Sequence, residues 1–554
     1  MYRMYLNWDD LTARKLLQAM GEGGLHRVQD RADAVGRPQS GKTPLLSFDT
    51  LLTIPRFRLC YNRGHKPMKP LSVRTLFFAF TLLLLVPFTW ATCGGGGGGG
   101  VGGTGGGGTQ GQDPQVYQVP WRMLKPSDPP ITSGLVVYWF PSSNTELQQS
   151  SLRTSRELTL YATQCIAMEV SDIRTPAGQK FAGDAKLPIV VLAAPDGSMI
   201  GKIENKNGML KVEQVEKLVG DELKQRDSAL NQQMKDAKDK AKSGDNTTAI
   251  QLYRAVVDQK CLFPKRAKDA AKELKKLGVD DVGQIPDPPV FDPVTSAAIE
   301  RTMIAGLKAE MDARYSEAER LYSKAHRTDP ADPVPLRYLG EVYRHETGEW
   351  DKARSVFEAI LNMPADPLSR AVALHGLGKM TIHDGEFAKG LALMEKSVET
   401  YPLALANRNL AVYWNSEGNT AKADHYVHEA LALDPKDAYN LIFAAAFMAG
   451  NGHGDEALKI ARENEAMLPA SYNLAAIYAQ TGQRDKALAL LKRHFFEYER
   501  YQAVRSEEMM EARVDAVFAS LKNDPAFVAL TSGADGKLDS SRTMTMDPRR
   551  GTAH

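Results

Sequence analysis

Residues 404–437, ALANRNLAVYWNSEGNTAKADHYVHEALALDPKD, decide the fold of the C-terminal half, because their pattern recurs along the chain. Small and apolar residues fall at helical spacing on both sides of Gly418, and Pro435 closes the stretch. This spacing predicts a helix, a turn at the glycine, a second helix and a second turn. One such helix pair cannot bury its apolar faces alone, so it needs neighbouring copies.

Copies of this pattern follow one another at intervals of about 33 residues, which predicts an array of stacked helix pairs. The second copy carries one extra residue between Tyr343 and Gly348, and the last has no closing proline. The six predicted units occupy residues 299–332, 333–367, 371–403, 404–437, 438–467 and 468–501. An α-solenoid of this kind is typical of a binding surface and contains no reaction of its own.

The recurring small residues, such as Gly306 and Ala318 in the first unit and Ala445 and Ala457 in the fifth, resemble those of the tetratricopeptide repeat family. The resemblance implies an all-α solenoid in which the first helix of each pair lines a concave groove. It also implies a protein or peptide ligand. Carried onto this chain, the groove positions of the family include Arg337, Tyr338, Arg344, His375, Lys379, Arg408, Asn409, Tyr472 and Asn473.

The predicted groove is basic over its first half, from residue 337 to residue 408, where arginine, lysine and histidine outnumber a single glutamate, Glu341. Such a surface favours an acidic or carboxylate-ended peptide, because the guanidinium fork matches the geometry of a carboxylate. Asn409 and Asn473 occupy the position at which related arrays hydrogen-bond a peptide backbone. The alternative is that these side chains are ordinary solvated residues of a helix surface.

Several segments flank the array. Residues 223–283 predict a helical region with an outlying repeat-like unit, and the proline-rich residues 284–298 predict a linker. Residues 502–531 predict a helical cap, and the polar residues 532–554 predict a disordered tail.

An apolar run precedes a glycine tract near the N-terminus. Residues 76–92 are long enough for the apolar part of a signal and short for a spanning helix, and Met68 begins a signal-like start with two positive charges. We therefore expect residues 1–67 to be an over-extended, disordered N-terminus and 68–93 to be a signal peptide or membrane anchor. Residues 94–114 predict a flexible linker.

Cys93, which stands between the apolar run and the glycine tract, resembles the lipidated cysteine of a bacterial lipoprotein. Trp90 departs from that pattern, so ordinary secretion and an uncleaved anchor remain alternatives to lipidation. All three place the repeats outside the cytoplasm, which predicts a cell-envelope protein on the periplasmic side, either membrane-tethered or secreted.

Residues 115–222 predict a second folded unit of α/β type. Strand, helix and strand are followed by strand, hairpin, strand and helix, and this order resembles the thioredoxin-like fold, with Pro188 at the family's cis-proline position. The family's catalytic pair of cysteines is missing, because residues 140–147 read FPSSNTEL. The chain is therefore expected to be multidomain, with a redox-inactive thioredoxin-like domain followed by the solenoid. Cys165 is read as a small core residue, and a bridge from it to Cys261 stays open.

Composition excludes several other classes of function. The net charge is +2, from 69 basic and 67 acidic residues, which gives no argument for nucleic acid as a partner. Residues 36–43 match a phosphate-binding pattern but lack the strand and helix that it needs, so no cofactor is predicted, and no metal cluster stands out. The sequence predicts an exported scaffold or adaptor that is not an enzyme. The alternatives are a disulfide-exchange enzyme that recruits its substrates through the repeats, and an accessory subunit of an envelope enzyme complex.

Overall fold

The structure, a computed structural model, describes residues 114–124, 131, 133–205, 208–468, 471–498 and 502–532. The described part is mostly helical, with one small mixed sheet near its N-terminal end. The predictions for residues 1–113, including the signal segment and Cys93, and for the tail after residue 532 lie outside the described residues. None of the described helices combines the length and the apolar character that crossing a membrane requires.

The sheet has five strands in the order β1-β3-β2-β4-β5. They span Arg122–Met123 (β1), Leu135–Phe140 (β2), Ile166–Val170 (β3), Ile189–Ala193 (β4) and Met199–Glu204 (β5). Strand β3 runs parallel to both β1 and β2, whereas β4 is antiparallel to β2 and to β5. Strands β2 and β4 are apolar and almost wholly buried because helices or loops cover both faces of the sheet centre.

Three short helices connect these strands: Asn144–Gln149 (α1), Arg156–Thr163 (α2) and Pro176–Phe181 (α3). Each begins at a serine or threonine whose hydroxyl accepts a backbone N–H of the first turn, as Ser155 does from Leu158 at 3.0 Å. The 3-10 turn Ser151–Arg153 precedes α2. We call residues 122–204 the sheet domain.

Three helices follow the sheet: the long Val212–Lys242 (α4), then Asn246–Val257 (α5) and Pro264–Lys276 (α6). Their apolar faces share one core with the sheet, in which Val215 and Tyr253 are buried together with Trp139. A disulfide between Cys165 and Cys261 joins the residue before β3 to the loop before α6. Cys165 is exposed, so the interpretation of it as a small core residue is wrong.

The repeat array consists of six helix pairs, twelve helices in all. The helices are Pro293–Met311 (α7), Tyr315–Thr328 (α8), Val334–Glu341 (α9), Trp350–Asn362 (α10), Pro367–His383 (α11), Phe387–Thr400 (α12), Ala404–Ser416 (α13), Thr420–Leu433 (α14), Ala438–Gly450 (α15), Gly454–Asn464 (α16), Tyr472–Gln480 (α17) and Arg484–Arg493 (α18). The turn within a pair passes through a left-handed residue, for example Gly418 at φ 74°, a conformation that glycine adopts without strain. The predicted helical repeat solenoid is therefore present.

The start of helix α7 and the end of helix α9 differ from what the sequence predicts. Helix α7 begins at Pro293, inside the segment 284–298 that the sequence assigns to a linker, because Asp292 caps its first turn and proline fits there. Helix α9 continues as a π-helical turn over Val342–Glu346, which accommodates the extra residue of the second unit.

The C-terminal residues close the array with helices Gln502–Val514 (α19) and Pro525–Thr531 (α20) and the 3-10 helix Ala516–Leu521 between them. Phe518 and Phe527 are buried in the core of the last repeats. The apolar end of the last pair is covered in this way, as a solenoid requires.

Candidate protein-binding groove

The candidate site is the surface formed by the first helices of successive pairs, α9, α11, α13, α15 and α17, which we call the groove. The first helices α9 and α11 pack against each other, and so do α15 and α17. Side chains from neighbouring repeats are therefore brought side by side along this surface.

A basic cluster occupies the part of the groove made by α9, α11 and α13. It consists of Arg344, His345, His375, Lys379 and Arg408. Glu341, one turn before this cluster on the same helix, accepts a hydrogen bond from Arg344 at 2.8 Å and lies 3.6 Å from His345 Nε2. Because two carboxylates, Glu341 and Asp437, face three permanent cations, the cluster carries an excess of positive charge.

His375 is the most deeply buried member of the basic cluster. Its side chain is 2% exposed, and its Nε2 accepts a hydrogen bond from the Asn409 amide at 2.7 Å. Burial lowers the pKa of His375 well below its usual value, and the charges of Arg344, Lys379 and Arg408 lower it further. The imidazole is therefore neutral at pH 7, and an anion placed nearby would favour its protonation.

The other members of the cluster differ in how they are held. Lys379 is half-buried and has no ion-pair partner within the described ranges. Arg408 donates to Asn440 Oδ1 at 2.5 Å and lies 3.8 Å from Asp437. Lys379 is accordingly the cation best placed to meet a ligand.

Arg337 stands one helical turn before Glu341 and is almost wholly buried, with 1% exposure. Its guanidinium lies 5.6 Å from the ring centre of Tyr338, and none of its three nitrogens meets a hydrogen-bond acceptor at bonding geometry in the described part of the chain. Because arginine stays charged in proteins, an unpaired buried guanidinium is costly. It is an unusual feature that favours an anionic ligand.

Residues 116–121, VYQVPW, lie against the first repeats, and we call them the cis segment. Val116 and Tyr117 are buried in the same apolar core as α7 to α11. Tyr117 donates its hydroxyl to Asp332 at 2.7 Å. The Tyr338 hydroxyl in turn donates to the Val116 carbonyl at 3.2 Å.

The second part of the cis segment turns to the sheet domain. Val119 N–H donates to the Arg153 carbonyl at 2.9 Å, and Trp121 Nε1 donates to the Leu152 carbonyl at 2.6 Å. The Trp121 carbonyl accepts from Tyr401 of the array at 3.3 Å. The segment is therefore held between sheet domain and repeats.

A buried ion-pair network reinforces this junction. Arg156, at the start of α2, is 2.6 Å from Asp329 and 3.3 Å from Asp332, and all three side chains are fully buried. It also donates to the Val290 carbonyl at 2.8 Å. Burial raises the pKa of Asp332 to about 6, although Arg156 opposes the shift. The guanidinium of Arg156 thus forms ion pairs with two carboxylates.

The C-terminal members of the predicted groove are placed elsewhere. Tyr472 is buried, donates to Asp515 at 3.1 Å and packs edge-on against Phe518 of the cap. Asn473, its neighbour, is half-buried. The structure thus brings together Arg344, His375, Lys379, Arg408 and Asn409, whereas Tyr472 lies against the cap. The peptide-binding role of all these residues stays a prediction.

Two features that the sequence analysis singled out in the sheet domain can be located in the structure. The bond between Leu187 and Pro188 is cis, and α1 begins after Ser143 with no cysteine in its first turn. Sequence reasoning missed Arg156, Asp332 and the cis segment. The largely apolar and aromatic composition of VYQVPW was a signal for the segment, whereas nothing in the sequence pairs Arg156 with Asp332.

One comparison with known protein families identifies a repeat. A tetratricopeptide repeat family model matches residues 336–371, which contain most of the second unit. A similar curated protein is the Protein CTR9 homolog of Arabidopsis thaliana, which is 24% identical over 32% of this chain. The match spans 21% of that protein, about a fifth of its length.

Among solved structures, the chain is similar to the crystal structure of PilW, described as a widely conserved type IV pilus biogenesis factor. The identity is 17% and the TM-score 0.26, over 45% of this chain and 98% of the other.

Proposed function

We propose that the protein is a non-enzymatic scaffold or adaptor that binds a protein segment in the groove of its repeat array. The observation that carries the proposal is the basic cluster between α9 and α13, with half-buried Lys379 and buried, unpaired Arg337 nearby. Repeats that stack first helix against first helix supply the elongated surface such a role needs.

The ligand is acidic in this proposal. A carboxylate entering the basic cluster would pair with cations already held in place, and charge-assisted hydrogen bonds of this kind contribute about 1.5–3 kcal/mol each. Binding would also raise the pKa of His375. Affinity for an acidic peptide should therefore increase as the pH falls, as long as the carboxylates of the peptide stay ionised.

The sheet domain is, in this proposal, a redox-inactive thioredoxin-like module with a structural or docking role. The order of strands and helices supports the likeness, and the cysteine-free start of α1 supports the lack of redox activity. Among the described residues, the competing disulfide-exchange enzyme would have Cys165 and Cys261 to use, and these join two parts of the fold. Insulin reduction that disappears in Cys165→Ser would favour that enzyme.

We also propose that the protein is exported. The apolar run before Cys93 supports export, and so does the disulfide, because disulfides persist in oxidising compartments. Mass analysis of the mature N-terminus tests this proposal and distinguishes a lipidated Cys93 from simple cleavage and from an uncleaved anchor.

The groove is tested by affinity capture from cells that make the protein, with quantification of every recovered partner. Lys379→Glu reverses a charge inside the basic cluster. Lys389→Glu is the matched control, because Lys389 lies on the second helix α12, is 65% exposed and pairs only with Glu386 in the described chain. We expect specific partners to be lost with Lys379→Glu and kept with Lys389→Glu. Equal recovery of partners with both variants would show that the groove does not bind them.

A further inference from the structure

We infer that the first part of the groove is a peptide-recognition site which this chain fills with its own cis segment, residues 116–121. This inference rests on the proposed function, since it assigns the groove a second, adjoining subsite. The ligand class is an extended segment that carries a tyrosine, with an acidic residue close after it.

The contacts to the cis segment are of the kind made to a bound peptide. The segment up to Trp121 has no regular secondary structure, yet Val116 and Tyr117 are 4% and 3% exposed. Tyrosine hydroxyls from two repeats, Tyr338 and Tyr401, donate to its carbonyls, which holds the backbone whatever its side chains are. These bonds fix the register of an extended chain.

Selectivity comes from the pocket of Tyr117. Its hydroxyl donates to Asp332 at 2.7 Å, and the guanidinium of Arg156 lies 5.9 Å from its ring centre. Phenylalanine at this position would remove the shorter of the two hydrogen bonds to Asp332 Oδ2 and leave only the one from Arg156 Nε at 3.3 Å. The site therefore prefers tyrosine.

The cis segment is an incomplete ligand, because it leaves Arg337 unpaired. Arg337 adjoins Tyr338, one of the two tyrosines that hold the segment, with its guanidinium 5.6 Å from the ring centre. The segment offers no carboxylate: between its two held carbonyls it presents Gln118, Val119 and Pro120. A partner with the same tyrosine and a glutamate at the place of Gln118 would bind more tightly and displace the segment.

The experiment uses the full chain and two labelled peptides. One has the sequence of residues 113–122, DPQVYQVPWR, and the other carries Gln118→Glu. In the opened variant Val116→Asp/Tyr117→Ala, the site should be vacant and should bind both peptides, the glutamate peptide about 10-fold more tightly, as expected for one added charge-assisted bond. The unaltered chain should bind each at least about 10-fold more weakly, because its own segment competes at high effective concentration.

Equal binding to both chains, or no binding to an opened variant that keeps its helical circular dichroism, would overturn the inference. If the opened variant does not fold, amide hydrogen exchange measured on the unaltered chain tests the inference instead. Excess glutamate peptide should increase exchange in residues 114–121, and unchanged exchange there would overturn the inference. Because Lys379 is not part of this subsite, the capture experiment with Lys379→Glu succeeds or fails separately.

Discussion

Arg156 is the residue on which the junction of sheet domain and repeats depends. It bonds Asp329, Asp332 and the Val290 carbonyl in a site from which water is excluded. Its removal would leave two buried carboxylates without their cation. A buried ion pair adds little net stability compared with apolar packing, but breaking one costs about 3–5 kcal/mol.

We therefore expect Arg156→Ala to lower the free energy of unfolding in urea by about 3–5 kcal/mol. The control is Arg174→Ala, because Arg174 also pairs with an aspartate, Asp172, but its side chain is 54% exposed. An exposed pair contributes about 1 kcal/mol or less. Equal losses in the two variants would contradict the network described for Arg156.

Asp332 gives this junction a dependence on pH. Its pKa is raised to about 6 in the folded chain because it is buried, against 3.8 when exposed. The folded state therefore binds this proton more tightly, so the contribution is fully present below about pH 4 and is lost as the pH rises through about 6. We expect the stability difference between the unaltered chain and Asp332→Asn to shift by up to about 3 kcal/mol between pH 4 and pH 7. A difference independent of pH, measured by urea unfolding, would show that Asp332 keeps an ordinary pKa.

At the residue scale, the sequence predicted candidates but not their partners. The resemblance to the tetratricopeptide repeat family assigns Arg337 and Lys379 to the groove, because its groove positions can be carried onto this chain. The burial of Arg337 and the bond between Asn409 and His375 depend on how neighbouring repeats meet, which no single helix pattern contains.

At the scale of elements, helix pairs are held together by close approach at small residues. Phe357 of α10 fills the space between α9 and α11, with Gly340 on one side and Gly376 on the other. A Cβ at Gly376 would lie 2.4 Å from the Phe357 ring, and one at Gly340 would lie 2.3 Å from it. The ring therefore cannot move away from one glycine without meeting the other.

We expect Gly376→Ala to destabilise the array by about 1–3 kcal/mol, the usual cost of overpacking a core. Gly450→Ala is the control: the new Cβ would meet only the end of the flexible Gln480 side chain, and alanine favours a helix. Thermal unfolding followed by circular dichroism measures both. A Gly376→Ala variant as stable as the Gly450→Ala variant would show that the helices can separate freely.

The helices of the array were predictable because the sequence of each repeat contains helical spacing of apolar residues, a glycine at the turn and small residues at the contacts between helices. The π-helical turn at Val342–Glu346 was visible only as one extra residue, and its form follows from the need to keep both flanking helices in register. Helix α7 begins earlier than predicted because Asp292 caps it, within a proline-rich segment that the sequence analysis assigned to a linker.

For the whole molecule, the disulfide between Cys165 and Cys261 closes a loop of 96 residues that runs from the sheet domain through α4 and α5. Such a closure restricts the unfolded chain by about 4–5 kcal/mol. The double variant Cys165→Ser/Cys261→Ser should lose that much stability in urea while keeping its helical spectrum. Unchanged stability would mean that the link does not restrain the unfolded chain.

The sequence predicted two folded units and their order along the chain. It did not predict that residues 116–121 and Arg156 would bind the units together, because contacts between residues more than 170 positions apart leave no periodic signal. Which polar residues meet across such distances in the sequence is determined by the tertiary packing.

The central claim is that the basic cluster selects an acidic segment. The most direct measurement is selection from a random peptide library on the unaltered chain, followed by affinities of the selected peptides for Lys379→Glu and for Lys389→Glu. The account predicts sequences enriched in aspartate and glutamate, whose binding falls about 10-fold or more with Lys379→Glu and is unchanged with Lys389→Glu. Selected peptides without acidic residues, or affinities that Lys379→Glu leaves intact, would contradict it.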